Sequence, residues 1–139
     1  MSVEVILSEQ EEREQKRREY RALLEGFWPD AFNFSRPRPL KVGILAELIA
    51  DAEQRGLPFD SELLTSAIKF YTRRYVYQRA LTTMKERTGL DGQIAGEVTP
   101  KQREYSLKLI RRFAAKDKAE KRARQEEKAA KQSGINPGA

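Results

Sequence analysis

Lys69-Phe70-Tyr71-Thr72-Arg73-Arg74-Tyr75-Val76-Tyr77-Gln78-Arg79 is where the pattern of this chain changes most sharply. A helical apolar stripe enters it through Leu63, Leu64, Ala67 and Ile68 and reaches Tyr71. The stripe then fails, because Phe70, Tyr71, Tyr75 and Val76 do not share one face. The pattern predicts a bend between Tyr71 and Thr72, with Thr72 capping a new helix that runs to about Lys85. Cations alternate with aromatics along the same stretch. Over 69–87 six cations face the single acid Glu86, a local charge of +5 against +6 for the whole chain. Cations hold phosphates, and aromatic faces and hydroxyls contact bases and sugars, so the composition suits RNA or single-stranded nucleic acid. An amphipathic helix with core tyrosines and solvated arginines has the same composition, and residue types alone leave both readings open.

Upstream, Asp60 is placed to cap the helix that carries Leu63 to Tyr71. Before it, Ile44, Leu45, Leu48, Ile49 and Ala52 form one stripe, closed by Gly56 and Pro58. Arg36-Pro37-Arg38-Pro39 stays extended, since proline disfavours helix at the residue before it. Ala31-Phe32-Asn33-Phe34 reads as a further extended piece. Ser8 and Glu11 make a capping box for a first helix that reaches about Gly26, with 1–7 as a loosely held lead-in and Pro29 as the stop. Its apolar positions come late, at Tyr20, Leu23, Leu24, Phe27 and Trp28, so only its last turns are expected to pack.

Downstream, Asp91-Gly92 predicts a hairpin with a type I′ turn and short strands near 86–90 and 93–98. Thr99, Pro100 and Gln102 carry the start signals of a last helix, with Leu107, Ile110 and Ala114 inward and Phe113 flanking them. Beyond Ala115 the composition changes. Residues 116–131 hold seven cations and four acids with alanine as the sole apolar type, so a helix there has no face to bury. A frayed, salt-bridged extension and disorder both fit, followed by a flexible end from Ser133.

The totals exclude much chemistry. The chain of 139 residues has no Cys and no His, which removes disulfides, thiolate-ligated metals and the commonest general base. The acids gather at exposed positions of the first helix (Glu9, Glu11, Glu12, Glu14, Glu19), not in a metal-binding cluster, and there is no phosphate-cradling glycine loop. No apolar run approaches the roughly 18 residues of a membrane span. A pI near 9.6 favours anionic partners. These features predict a non-enzymatic, cytoplasmic protein, with no cofactor, no metal, no membrane and no small-molecule substrate.

Several motifs in order carry a resemblance. Arg38-Pro39-Leu40-Lys41-Val42-Gly43-Ile44, then Leu64 to Tyr71-Thr72, then Arg87 before Leu90-Asp91-Gly92, then Gly96-Glu97-Val98 are similar to the ProQ/FinO domain. The resemblance covers about 22–115. It implies a compact, mostly α fold with a small β-hairpin (α+β), preceded by a charged helical extension over 1–21 and followed by a basic, flexible tail over 116–139. It also implies a bacterial RNA chaperone, monomeric, that takes the base of a stem-loop with its single-stranded 3′ tail. Such stem-loops occur at intrinsic terminators and on small RNAs; members stabilise RNAs and promote RNA–RNA annealing. By motif match, Lys41 and Tyr71 line a pocket for the 3′-terminal nucleotide, and Gly43 is structural. Thr72 and its neighbours offer a helix N-terminus to phosphates, and Arg38, Lys69 and Arg87 complete the basic face; the cation-rich stretch itself adds Arg73, Arg74 and Arg79 as candidate RNA-binding residues. This chain departs from the pattern at three places: Arg73 and Arg74 replace small hydroxyl residues, Thr65 replaces an Arg, and Ile94 replaces a Pro. The alternative from another class is a DNA-binding regulator built on a helix-turn-helix near 60–85, with Gln78 as its main base-reading residue.

Overall fold

A computed structural model describes residues 3–132, with side chains from Ser8 onward. The order is α1 (Val3–Phe27), α2 (Ile44–Gln54), α3 (Ser61–Arg73), α4 (Tyr75–Thr83), β1 (Glu86–Thr88), β2 (Ile94–Glu97) and α5 (Pro100–Gln132). The mostly α fold with one antiparallel hairpin matches the sequence expectation. Packing follows the chain: α1 and α2 lie against α3, α3 against α4, and α4 against α5.

One core joins these elements. Leu24 and Trp28 at the end of α1 meet Phe32 and Phe34 of the following loop, Leu48 of α2, Leu64 and Tyr71 of α3, Tyr77 and Leu81 of α4, and Val98. The loop 31–34 therefore acts as a core element, since Ala31, Phe32 and Phe34 are all buried. The indole N–H of Trp28 donates to Asp51 Oδ2 at 2.7 Å. That bond, helped by Arg55 against the cost of burial, holds the Asp51 carboxyl below its usual range. A buried indole is thereby satisfied and α1 is tied to α2.

Several local expectations change. Helix α1 begins at Val3, five residues before Ser8, so Ser8 and Glu11 lie inside it and do not form its cap. The segment read as a lead-in is helical from Val3 on; Met1, Ser2 and the end from Ser133 lie outside the described residues. Asp60 caps α3 as predicted, its Oδ1 accepting from the Leu63 N–H at 2.8 Å. Gly43, at φ 84, is the N-cap of α2, and a side chain there would meet nothing within 4 Å. Its structural role is therefore the left-handed backbone, which a side chain would strain, and not close packing.

The hairpin also differs in detail. Gly89 N–H donates to Gln93 O at 2.8 Å and Gly92 N–H to Gly89 O at 3.0 Å. Among these residues Gly92 has positive φ (82) and Asp91 does not, so the turn is not type I′. Three loop residues ending in a left-handed glycine suit this connection instead. The pair is extended by a parallel bridge between Leu40 and Thr88, where Thr88 N–H reaches Pro39 O and Lys41 N–H reaches Thr88 O. The proline-rich segment is thus held as a third, strand-like rib.

Thr99 caps α5, accepting from the Gln102 N–H at 3.1 Å. The inward face differs from the expected one. Ser106 is fully buried and Leu109 and Ile110 are half-buried, whereas Leu107 is 38% exposed and Ala114 is exposed. The 33-residue helix continues to Gln132. Residues 116–132 contain no Gly, Pro or β-branched residue. Asp117–Lys121 and Glu127–Lys131 pair at i,i+4 with the acid leading, the favoured orientation.

Candidate nucleic-acid interface

The break between α3 and α4 falls at Arg74, two residues after the expected bend. Its backbone is extended at φ −70, ψ 147, and it is at once the C-cap of α3 and the N-cap of α4. Side chains lock the corner. Arg74 Nη1 donates to Phe34 O at 2.9 Å, its Nε to Tyr71 O at 3.3 Å, and Gln78 Nε2 to Thr72 O at 2.7 Å. The guanidinium lies over Phe34 and Tyr71, 4.4 and 4.9 Å from the ring centroids. Thr72 does not cap α4, because its hydroxyl donates to Ile68 O at 2.9 Å and so finishes α3. No side chain caps α4, so its first turn presents the uncompensated positive end of the helix.

Burial lowers the pKa of Arg74 from the ordinary guanidinium range. Arg17 and Arg21 of α1 push the same way, while Tyr71 and Glu25 oppose them. Arg74 Nη2 is buried without a hydrogen-bond partner.

The residues singled out from sequence separate into two groups. Lys69, Arg73 and Arg79 are exposed, with Arg79 Nη1 donating to the Tyr75 hydroxyl at 3.3 Å. Arg38 is exposed as well and donates to Asp30 O. Lys41 sits in a cavity of about 430 Å³ walled by Glu47, Asp51, Asp91 and the hairpin turn, and its ammonium is 2.7 Å from Glu47 Oε1. Three carboxylates around one lysine make this cavity a poor host for a phosphate.

Tyr71 and Arg87 lie inside. Tyr71 has no exposed surface, and its ring meets Phe32, Phe34 and Tyr77. Burial pushes its phenol up to about 12. Tyr71 is not among the residues lining the Lys41 cavity, so the expected shared pocket is not formed. Arg87 is 8% exposed and donates through Nη1 to Leu40 O at 2.7 Å. Tyr77 accepts from the Leu40 N–H at 3.0 Å, and burial raises its phenol too. Together Arg87 and Tyr77 fix the proline rib to α4 and the hairpin, so Arg87 acts in the frame and not on an open basic face. Gln78 is 9% exposed and its amide is spent on Thr72, which removes the main base-reading residue of the helix-turn-helix alternative.

A second cavity, about 410 Å³, opens between α1 and α3. Lys16, Lys69, Arg73 and Arg74 line it with Tyr20, Phe70 and Ser66, and no acid does. The Tyr20 and Phe70 rings touch at 5.3 Å, tilted by 52°. Sequence reasoning assigned Tyr20 to the core and Lys16 to a solvated face. The missed signal was their i,i+4 spacing, which puts both on the side of α1 that meets α3.

The chain belongs to the ProQ/FinO family: the model of the ProQ/FINO family matches residues 8–128. Among its relatives, the Fertility inhibition protein of Escherichia coli K12 is 28% identical over 87 residues, covering 63% of this chain and 47% of that protein. The Fertility inhibition protein of Escherichia coli O157:H7 is 30% identical over 92 residues, covering 64% and 50%. This chain thus spans about half the length of the relatives it matches. A FinO-like RNA chaperone from Neisseria meningitidis MC58 has the same fold, with a TM-score of 0.56, 22% identity, and coverage of 86% of this chain and 97% of the other. A ProQ homolog from Legionella pneumophila also superposes at a TM-score of 0.56, with 27% identity over 70% of this chain and 81% of the homolog.

Proposed function

We propose that this chain is a non-enzymatic bacterial RNA chaperone of the cytoplasm. It takes the base of a stem-loop together with the single-stranded 3′ tail, protects that RNA and promotes its pairing with complementary strands. Family membership supports the class. The observation that carries the reading is the α3–α4 corner, where an uncapped helix start is ringed by Lys69, Arg73, Arg74 and Arg79. A positive helix end, with guanidinium groups beside it, suits the phosphates of a strand leaving a duplex. The exposed cations Arg38, Lys69, Arg73 and Arg79, with part-buried Arg74, contact the RNA backbone. Tyr71, Thr72 and Arg87 act from within by holding the corner and the rib in shape. Lys41 contributes to the extent that Glu47 releases it. The unit that binds is 22–115 working as a monomer, with 116–132 adding attraction for phosphates.

The test is binding of a terminator-like RNA hairpin with a 3′ uridine tail, at two salt concentrations, against the same hairpin ending in a 3′ phosphate and against duplex DNA of equal length. The expected result is tightest binding of the free 3′ hydroxyl, and loss of affinity for all ligands when Lys69 and Arg73 are both changed to Ala. Equal binding of hairpin RNA and duplex DNA, with the same salt dependence, overturns the reading.

A further inference from the structure

The charged first helix also forms one wall of a cavity. Lys16 and Tyr20 of α1 close, over Ser66, Lys69, Phe70 and Arg73 of α3, a space of about 410 Å³. Three features of this space point to an anionic, aromatic ligand. Its cations lack counter-ions: among the described residues Lys16, Lys69 and Arg73 make no ion pair. The nearby acid Glu25 is already engaged, by Arg21 at 2.9 Å and by the Phe34 N–H at 2.7 Å. Glu12 and Glu19 flank Lys16 on the other side of α1, but no acid lines the cavity itself, so the cations that meet there favour an anion. The cavity floor is apolar and aromatic, with Tyr20 and Phe70 in contact and both only half-buried. Finally, Tyr20, Phe70 and Ser66 share the lining of this one cavity with the cations, which puts stacking surface and phosphate-binding groups side by side.

We propose that the α1–α3 cavity is a nucleotide subsite, in which Lys16, Lys69 and Arg73 hold one backbone phosphate of a bound RNA strand and the Tyr20–Phe70 pair receives the adjoining base. The subsite rests on the RNA reading above and extends it. It continues the contact made at the α3–α4 corner, whose Lys69 and Arg73 it shares, and makes α1 part of the binding surface. The base is taken by stacking and edge contact alone, so the subsite accepts any unpaired nucleotide without reading its sequence.

The occupant has two sources, an RNA strand or a free nucleotide, and the experiment separates them. Hairpin binding by the full chain is measured for wild type, Lys16→Glu, Lys16→Arg and the control Lys101→Glu, which makes the same charge change on exposed α5 surface. Amide shifts are followed in parallel with uridine monophosphate, uridine and inorganic phosphate. Lys16→Glu is expected to weaken hairpin binding about fivefold or more and to flatten the salt dependence by about one phosphate contact. Lys16→Arg should retain affinity, and Lys101→Glu should change it less than twofold. Uridine monophosphate should shift the amides of Lys16, Ser66 and Lys69 more than either fragment does. Hairpin affinity and salt slope unchanged in Lys16→Glu, with wild type binding normally, overturn the subsite and leave the chaperone reading standing. Shifts from uridine monophosphate without an effect of Lys16→Glu on the hairpin assign the cavity to free nucleotide, which also overturns an RNA strand as occupant. A wild-type chain that ignores the hairpin overturns the chaperone reading itself, and the RNA occupant with it.

Discussion

The hydroxyl of Tyr71 bonds in both directions to the backbone of one residue, donating to Asn33 O at 3.1 Å and accepting from Asn33 N–H at 3.2 Å. A single phenol thus replaces the ladder partner that the loop 31–34 lacks, and it does so with no exposed surface of its own.

Tyr71→Phe removes both bonds and leaves two part-buried backbone groups of Asn33 without their partner. The expected loss of stability is about 1–3 kcal/mol, read by urea unfolding, with hairpin affinity of the folded protein changed less than twofold. The pH dependence supplies a second check. The folded phenol titrates near 12, above the ordinary value of 10.0. Stability from keeping it neutral is therefore complete below pH 10 and is lost as the pH rises toward 12. Wild type should lose stability across that window, and Tyr71→Phe should lose less. A Phe variant as stable as wild type refutes the anchoring role.

Lys41 and Glu47 form an exposed pair at 2.7 Å, with side chains 40% and 44% accessible. Such a pair stabilises the fold little, yet it occupies an ammonium that the RNA would otherwise use. Glu47→Gln is expected to leave the melting temperature within a few degrees and to tighten hairpin binding about two- to fivefold at low salt. The gain should vanish in the Lys41→Ala background. Tightening that persists without Lys41 shows instead a loss of general repulsion.

Gly92 sits at φ 82, and a Cβ there would lie 3.0 Å from Asp30 O and 3.1 Å from Asp30 Cβ. The hairpin turn is pressed against the loop after α1, where Arg38 also reaches Asp30 O. Gly92→Ala should cost about 1–2 kcal/mol from the left-handed backbone, with the contact adding to it. Thermal melting checks this, and a neutral result means that the turn re-forms away from Asp30.

These particulars show where the sequence was legible. The α3 cap at Asp60, the α2 stripe and the existence of the hairpin each rest on local rules, and each was recovered. The α3–α4 break was seen but misplaced, because its cause is a long-range bond from Arg74 to Phe34 O that no local propensity encodes. The inward face of α5 was misread because α4 selects Ser106, a small residue that permits close approach, over the larger Leu107. The same limit governs the site. Exposed cations and core anchors have identical residue types, and only packing separates Lys69 and Arg73 from Arg87.

Ending the chain after Ala115 removes a segment whose described residues, 116–132, are exposed almost throughout. The melting temperature is expected to stay within about 2 °C, since surface residues away from caps and core rarely matter to stability. Hairpin affinity should fall and its salt dependence should flatten, because seven cations leave with the segment. Unchanged salt dependence shows that the tail does not meet RNA.

The unbroken run of α5 also fixes a length. At 1.5 Å per residue its 33 residues reach about 50 Å, several times the roughly 8 Å over which charge is felt at physiological salt. The cations along its outer half therefore sense a polyanion well before the globular body does. On the RNA reading proposed above, the target that a diffusing strand meets is a mast and not a sphere, and shortening this helix is expected to slow the first encounter while changes at the Arg74 corner are expected to shorten the stay.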